Sequence, residues 1–231
     1  MQLIGPPPAP AHPNTDYPPL PEVLSRGEGT RLWLVRHAEV EERWHEIAYG
    51  SMDVSLSAAG LEATARMAEA FAAVTVDCVL SSDLDRALRM GRGIAGASAA
   101  PITPSAALRE MDRGTWQGIP KDEFSARWVA DAECYWKDPF RWTVPEGEGD
   151  EKLFQRAWPV VEEALVQHVG RTVVVAAHGQ LIRVLTGRAL GATTPESYAY
   201  YLDPAHATLL VDGTAGWAIE KQNISARELV R

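Results

Sequence analysis

The chain has 231 residues, of which 46% are hydrophobic and 23% charged, and it carries a formal net charge of −9. This composition is typical of one globular α/β domain with a sizeable buried core, and the negative balance argues against nucleic acid or an anionic membrane surface as the main partner. A small anionic ligand is compatible with that balance, because a local group of arginines sets the field inside a pocket.

The two cysteines, Cys78 and Cys134, are too few for a disulfide framework and form no Cys-x-x-Cys pair. We therefore expect reduced thiols in a cytoplasmic protein. No apolar run approaches the roughly 20 residues of a membrane span. The start of the chain lacks the basic segment and apolar stretch of a secretion signal, so we expect none.

Residues 1–28 are predicted to form a Pro-rich N-terminal arm, because eight of the sixteen prolines lie between Pro6 and Pro21. The arm could pack on the domain or support a homodimer, and a less favoured alternative is a ligand for a proline-recognising domain. Residues 29–231 are predicted to form the folded domain.

A short buried strand is predicted over residues 31–35, where large apolar side chains follow one another. It runs directly into Arg36, His37 and Glu39, three groups that are costly to bury without partners. An apolar strand that ends in such groups is typical of the C-terminal edge of an open α/β sheet, where ligands bind. The alternative is a surface loop that happens to contain a histidine.

The next segment alternates between helical and strand patterns. Ser57 is the predicted N-cap of a helix to about residue 73, and residues 81–83 are expected to cap a second helix. The predicted inner face of the first helix consists of Leu61, Thr64, Ala65, Ala68 and Phe71, which recur at helical spacing. In chain order the predicted elements are a helix at 57–73, a strand at 76–80, a helix from about 83 to 97 and a strand at 101–103. This order favours a mostly parallel sheet with right-handed crossovers.

Residues 105–148 interrupt this alternation and are predicted to form a cap insertion over the sheet edge. They contain four of the eight tryptophans and a predicted short helix at about 121–131. Aromatic side chains at this density favour a small separate core, and the alternative is the wall of a substrate pocket.

The last part of the chain repeats the strand and helix pattern. A valine-rich strand at 171–177 should lie centrally in the sheet, and it ends in His178, Gly179 and Gln180. The other predicted elements are a helix at 150–169, a helix to about 190 and a hairpin of strands 208–211 and 217–220 joined by Asp212-Gly213. Together the elements predict a three-layer α/β/α sandwich with a mostly parallel central sheet, helices on both faces and the inserted cap.

Reactive polar groups follow four of these strands, and parallel strands bring their C-terminal ends to one edge of the sheet. These groups are Arg36, His37, Arg86, Glu110 and His178. The set suits phosphoryl transfer, because arginine forks hold phosphate oxygens and a neutral imidazole can attack phosphorus. Neighbouring arginine charges lower the pKa of His37 and so help to keep it neutral. Glu110 could protonate the leaving alkoxide, and the helix after His178 adds backbone donors for the anion.

Five segments resemble the histidine phosphatase (phosphoglycerate-mutase-like) superfamily. The family's Arg-His-Gly-Glu-Thr is similar to residues 36–40, its Gly-x-x-Asp-x-Pro-Leu-Thr to 50–57 and its Ser-Ser-x-x-x-Arg-Ala to 81–87. Its Leu-x-Glu and Gly-x-Trp-x-Gly patterns match 108–118, and its second-histidine segment matches 176–183. The matches occur in the family's order, over about residues 31–220.

This resemblance implies that His37 is the phosphorylated nucleophile and that Arg36, Arg86 and His178 hold the phosphoryl group. Glu110 would be the proton donor and then the base for water, and neither a metal nor an organic cofactor would be needed. The predicted substrate-binding positions are Arg43, Gly50, Gly179 and Gln180, and the partner is a small phosphorylated metabolite.

The segment after the nucleophile departs from the family pattern. Ala38 replaces a glycine, which is harmless if its φ is negative, as we expect. Glu42 and Arg43 replace the usual Trp-Asn and alter the pocket rim. Arg43 could bind a second anionic group of the substrate, and the alternative is a solvated surface arginine.

Residues 110–114 differ from the Glu-Arg-His-Tyr-Gly of the family's mutases and favour its phosphatases. We therefore predict a phosphomonoesterase that acts on a small soluble ester such as a sugar phosphate or α-ribazole phosphate. A phosphoglycerate-type mutase and a phospho-ligand-binding module with little turnover are the alternatives. A metal hydrolase is disfavoured, because His45, His168 and His206 have no zinc-site spacing.

Overall fold

The computed structural model describes residues 28–230, and its centre is one six-stranded sheet with the order β3-β2-β4-β1-β5-β6. The strands are β1 (Arg31–Arg36), β2 (Cys78–Ser82), β3 (Ile102–Ser105), β4 (Thr172–Ala177), β5 (Ala207–Gly213) and β6 (Gly216–Ile224). The pairs β3–β2, β2–β4 and β4–β1 are parallel, whereas β5 runs antiparallel to both β1 and β6. The predicted mostly parallel sheet with an edge hairpin is therefore confirmed.

Helices cover both faces of this sheet. They are α1 (Ala58–Ala70), α2 (Asp85–Ser98), α3 (Lys121–Lys137), α4 (Asp150–Gln167), α5 (Gly179–Ala189), α6 (Thr194–Ser197) and α7 (Ala226–Leu229). Alternate residues of the strands enter two cores, because successive strand side chains point to opposite faces. Leu32 and Val173 belong to the core that contains side chains of α4 and α5, while Trp33 and Val174 belong to the core that contains those of α1, α2 and α7. This is the predicted three-layer sandwich.

β4 is the central strand predicted from its run of valines. It lies between β2 and β1, and all six of its residues are buried. Because β1, β2, β3 and β4 all run in the same direction, their C-terminal ends meet at one edge of the sheet.

The segment between β3 and α4 contains α3, which runs to Lys137 and is longer than the helix predicted at 121–131. Trp116, Trp128 and Trp142 pack against one another with ring centroids 5.5–6.5 Å apart. The tryptophans thus form the separate aromatic core that was the favoured interpretation of this segment.

Three local predictions were wrong. Asp212 and Gly213 pair with β6 inside β5, and the turn is formed by residues 214 and 215 instead. Leu61 is 47% exposed, because the buried face of α1 is formed by Thr64, Met67 and Ala68.

The third wrong prediction concerns the N-terminal cap of α2. No side chain of residues 81–83 caps this helix; the backbone N–H of Asp85 donates to Oδ1 of Asp53 at 2.9 Å, from a distant loop. The predicted Ser57 cap of α1 is confirmed, since its side chain accepts from the N–H of Gly60.

The arm predicted at residues 1–28 lies, except for Glu28, outside the described residues. None of the helices in the described part of the chain is long and apolar enough to cross a membrane.

A buried ion pair joins α4 to α5, and its loss should strongly destabilise the fold. Nη2 of Arg183 lies 2.5 Å from Oδ1 of Asp150, and both side chains are at most 9% exposed. Asp150→Ala leaves the guanidinium buried without a counter-charge, which we expect to lower the free energy of unfolding by about 3–5 kcal/mol. Urea denaturation measures this change, and Glu133→Ala, which breaks an exposed pair with Lys137, is the control with an expected change within about 0.5 kcal/mol. A loss in Asp150→Ala no larger than in the control would contradict the prediction.

Candidate active site

Strand register places the two histidines of the candidate site side by side. β1 and β4 are parallel with Arg36 opposite Ala177, so His37 and His178 are the next opposed residues. The N–H of His37 donates to the carbonyl of Ala177 at 3.0 Å, and the two imidazole centroids are 5.2 Å apart. Both side chains are buried.

The protonation state of the His37 ring follows from its hydrogen bond to the main chain of Ala38 and from its surroundings. Nδ1 lies 2.7 Å from the carbonyl oxygen of Ala38, which can only accept, so Nδ1 carries the proton and Nε2 keeps its lone pair. Burial, followed by the charges of Arg86 and Arg36, holds the pKa of His37 well below its usual range. His37 is therefore a neutral imidazole with a free nitrogen, as the sequence predicted.

Arg36 is positioned by the end of β1 and by the segment after α6. Its Nη1 donates to the carbonyl of Leu202 at 2.7 Å and to the hydroxyl of Tyr201. Its guanidinium also packs on Gly179, where a Cβ would approach Cζ and Nε of Arg36 to 3.3 Å. The absence of a side chain at Gly179 therefore allows the first turn of α5 to contact this guanidinium.

Arg86 lies in the first turn of α2 and is fully buried. Its Nη1 donates to the carbonyl of Met52 at 2.5 Å and its Nη2 to that of Gly50 at 2.8 Å. Gly50 adopts a φ of +41°, and a Cβ there would lie within 3 Å of its neighbours. No carboxylate pairs with Arg36 or Arg86 among residues 28–230, so both guanidinium charges are uncompensated by an ion pair.

Glu110 follows β3 and is held at the N-terminus of α5. Its Oε1 accepts from its neighbour Met111 N–H at 2.8 Å, and its Oε2 accepts from Gln180 N–H at 3.1 Å. The contribution of Gln180 to this contact is its backbone, since its side-chain oxygen accepts from Nε of Arg183. Glu110 thereby joins the same sheet edge as His178 and Gly179.

Several buried nitrogens of this site have no hydrogen-bond partner within the described residues. They are Nε of Arg36, Nε of Arg86 and both ring nitrogens of His178. Buried polar groups are normally paired. These unpaired N–H groups surround a neutral, nucleophilic imidazole. They therefore suit a site in which an anionic substrate accepts their hydrogen bonds.

The predicted residues do not all lie in this cluster. Arg36, His37, Arg86, Glu110 and His178 come together with Gly50, Gly179 and Gln180 through the contacts above. Arg43 instead has a 67% exposed side chain that pairs with Glu41 at 2.7 Å. Its predicted role in binding a second anionic group stays a prediction.

The sequence interpretation missed two tyrosines beside the arginines. The Arg36 guanidinium lies 5.0 Å from the Tyr201 ring centroid, and that of Arg86 lies 5.3 Å from the Tyr49 ring centroid. Burial raises the pKa of Tyr49, so its phenol stays protonated and can donate a hydrogen bond. The position of Tyr49 directly before Gly50 was an available signal, whereas nothing in the pattern around Tyr201 pointed to the site.

The backbone at Ala38 causes no strain. Ala38 is not among the described non-glycine residues with positive φ. The expectation of a negative φ is confirmed, so the extra methyl group is compatible with the turn.

A metal centre has no obvious ligands in this part of the chain. Residues 28–230 bring together no group of three or more histidine, cysteine, aspartate or glutamate side chains that could hold a metal ion.

The residues of this site lie within a match to a known protein family. The model of the histidine phosphatase superfamily (branch 1) matches residues 32–225. The chain belongs to the histidine phosphatase superfamily. This match covers all the residues of the cluster described above.

Relatives in this superfamily include enzymes with two activities. Glucosyl-3-phosphoglycerate phosphatase of Mycolicibacterium vanbaalenii is 33% identical over 168 residues, covering 70% of this chain and 74% of the relative. A 2,3-bisphosphoglycerate-dependent phosphoglycerate mutase of Xanthobacter autotrophicus is 31% identical and covers 67% and 78%.

Solved histidine phosphatases share the fold. The mycobacterial glucosyl-3-phosphoglycerate phosphatase in complex with inorganic phosphate superposes with a TM-score of 0.72 at 26% identity, covering 85% of this chain and 98% of the other. Its native structure gives a TM-score of 0.75 at 24% identity, with 85% and 100% covered. Together with the residues that follow Glu110, these similarities support a phosphatase over a mutase.

The two buried imidazoles should make this histidine phosphatase sensitive to mild acid. Burial and the neighbouring arginines lower the pKa of His178 as well as that of His37. Both rings stay neutral in the folded state but titrate near pH 6.5 when unfolded, so below that pH the unfolded chain binds about two extra protons. We expect the free energy of unfolding to fall by up to about 2.7 kcal/mol per pH unit below pH 6 from this source.

Urea denaturation of the wild type and of His178→Asn at several pH values between 7.5 and 5 tests this expectation. In the variant, this contribution to the slope of the free energy of unfolding against pH should be about half as large, because only one of the two rings remains. Equal slopes for the two proteins would show that His178 does not resist protonation in the folded state.

Proposed function

We propose that this chain is a phosphomonoesterase that hydrolyses a small phosphate ester through a phosphohistidine at His37. The observation that carries the proposal is the free Nε2 of a neutral, buried imidazole beside two arginines that pair with no carboxylate within the described residues. The positive charge of the arginines balances the negative charge that is distributed over the oxygens of a phosphoryl group. The cluster therefore contains both the cations and the nucleophile that this reaction needs.

In the first step Nε2 of His37 attacks phosphorus, and the bond from phosphorus to the ester oxygen breaks. Donors from Arg36, Arg86 and His178 hold the phosphoryl oxygens, and Glu110 gives its proton to the departing alkoxide. The Ala38 carbonyl keeps the Nδ1 proton in place, so the tautomer needed for attack is fixed before the substrate binds.

In the second step Glu110, now a carboxylate, takes a proton from water. The water oxygen bonds to phosphorus, the nitrogen–phosphorus bond breaks, and inorganic phosphate leaves with His37 restored. No metal or organic cofactor takes part in this proposal, and undiminished activity after prolonged chelation is its expected consequence.

The substrate class is proposed from the relatives. The name of the Mycolicibacterium vanbaalenii relative specifies glucosyl-3-phosphoglycerate as the substrate of that protein, and a further relative, 26% identical over 78% of this chain, is phosphoserine phosphatase 1 of Hydrogenobacter thermophilus. We propose that the substrate of this chain is likewise a phosphate monoester of a small sugar- or acid-containing alcohol. Free Cys78 and Cys134, which form no disulfide, support the further proposal that the protein works in the reducing cytoplasm.

Phosphate release from a panel of esters tests the function. The panel contains p-nitrophenyl phosphate, phosphoserine, 3-phosphoglycerate, glucosyl-3-phosphoglycerate and α-ribazole phosphate. We expect hydrolysis of p-nitrophenyl phosphate and a marked preference for one of the alkyl phosphates. Interconversion of phosphoglycerates without phosphate release would support a mutase, and tight phosphate binding without any turnover would support a binding module.

A further inference from the structure

Arg156 of α4 makes contacts directed at the segment that contains Glu110. Its Nη1 donates to the carbonyl of Ala107 at 2.7 Å, and its Nη2 donates to those of Arg109 and Glu110 at 2.9 and 3.0 Å. One guanidinium thus holds three carbonyl groups over four consecutive residues. Main-chain carbonyls gathered in this way fix the path of the segment up to and including Glu110.

Glu148 pairs with Arg156 and contacts the backbone that follows Glu110. Its Oε1 and Oε2 accept from Nε and Nη2 of Arg156 at 2.6 and 2.8 Å, which is a bidentate pair. Oε2 also accepts from the N–H of Asp112 at 3.0 Å, and the N–H of Glu148 donates back to the carbonyl of Asp112. Burial alone would raise the pKa of Glu148, but the hydrogen bonds from Arg156 and from the N–H of Asp112, with the charge of Arg156, hold that pKa below its usual range.

The pair therefore holds the backbone on both sides of Glu110. Arg156 contacts the carbonyls of residues 109 and 110, whereas Glu148 contacts residue 112. The carboxyl group of Glu110 is itself oriented by N–H groups of Met111 and Gln180, so its position depends on the backbone of residue 111 as much as on α5. A proton donor must reach the leaving oxygen within hydrogen-bond distance, and displacements of about 1 Å can cost on the order of 100-fold in rate.

We propose that Arg156 and Glu148 are positioning residues for proton transfer by Glu110. The proposal rests on the proposed function, because it assigns these residues to one step of that reaction. A purely structural brace would support the whole site, and its loss would affect all substrates alike. A positioning pair affects only the steps in which Glu110 gives or takes a proton, and of these only the proton transfer to the leaving group contributes to kcat/KM.

Leaving-group dependence separates these two roles. p-Nitrophenolate leaves without needing a proton, whereas an alkoxide needs one. In Arg156→Lys, which keeps the charge but loses the fork, we expect kcat/KM for the best alkyl phosphate of the panel to fall about 10–100-fold. For p-nitrophenyl phosphate it should fall less than about 3-fold, and the Kd of inorganic phosphate should stay within about 2-fold, because the phosphate-holding groups are untouched.

A double-mutant cycle with Glu110→Gln provides the decisive measurement. If Arg156 acts through Glu110, adding Arg156→Lys to Glu110→Gln should lower kcat/KM for the alkyl phosphate by less than about 2-fold. The control is Arg127→Lys, because Arg127 also contacts a carboxylate and a carbonyl, those of Glu123 and Thr115, neither of which belongs to residues 107–112. Its kcat/KM should match the wild type for both substrates.

Equal losses for both substrates, or full additivity in the cycle, would overturn the proposal. If Arg156→Lys does not fold, Glu148→Gln takes its place, since it retains the shape while removing one acceptor of the bidentate pair. If Glu110→Gln alone leaves alkyl phosphate hydrolysis unchanged, the proposed role of Glu110 fails. The positioning role fails separately if Arg156→Lys lowers kcat/KM for the alkyl phosphate by the same factor in the wild type and in Glu110→Gln.

Discussion

Replacing His37 by asparagine is expected to lower kcat/KM for every phosphate ester by about 10⁴-fold or more, because the variant has no nitrogen that can attack phosphorus. Asparagine can keep the hydrogen bond to the Ala38 carbonyl, so the turn after β1 should persist. The Kd of inorganic phosphate should change less than about 10-fold, because Arg36, Arg86 and His178 remain. A large loss of turnover with retained phosphate binding is the signature of a missing nucleophile.

Trapping provides the direct evidence for this reaction. Rapid quenching of the wild type with labelled substrate should give protein-bound phosphate that is stable in alkali and labile in acid, and His37→Asn should give none. His206→Asn is the matched control, since the Nδ1 of His206 also contacts a main-chain carbonyl, that of Pro204 at 3.0 Å. Normal labelling of His37→Asn would refute the assignment.

Glu110→Gln should separate the two chemical steps. The variant has no proton to give, so kcat/KM for an alkyl phosphate should fall about 10²–10⁴-fold. kcat/KM for p-nitrophenyl phosphate reports only the steps up to departure of the leaving group, and it should fall less than about 10-fold. Since water activation is also impaired, stopped-flow traces with this ester should show a burst of p-nitrophenolate close to one equivalent per enzyme.

The control for this variant is Glu196→Gln. Glu196 also accepts a backbone N–H, that of Thr193 at 2.8 Å, but it belongs to the capping box of α6. It should show wild-type kcat/KM and no burst. If Glu110→Gln turned over both esters at the wild-type rate, another group would have to supply the proton.

The candidate site could be predicted in large part from the sequence, because its residues follow strand ends. Parallel strands bring their C-terminal ends together whatever their order, so Arg36, His37 and His178 were expected at one edge before any register was known. Only the structure shows the register of β1 and β4, which places the two imidazoles next to each other. Tyr201 and Arg156 lie far from the motifs in sequence, and no local pattern indicated their contacts.

Patterns of period 2 and 3.6 depend only on neighbouring residues, so the sequence by itself determined the six strands and the five longer helices, though not the short helices α6 and α7. The continuous run of valines determined the central position of β4. Tertiary structure decided the features that depend on partners distant in the chain. Asp53 caps α2 across 32 residues, and Glu148 reaches back to Asp112 across 36. Met67 and Ala70 of α1 enter the core, whereas Leu61 stays 47% exposed, because the elements packed on this helix do not reach it. Long-range pairs of this kind are chosen by the packing of the whole chain, which no short window of sequence contains.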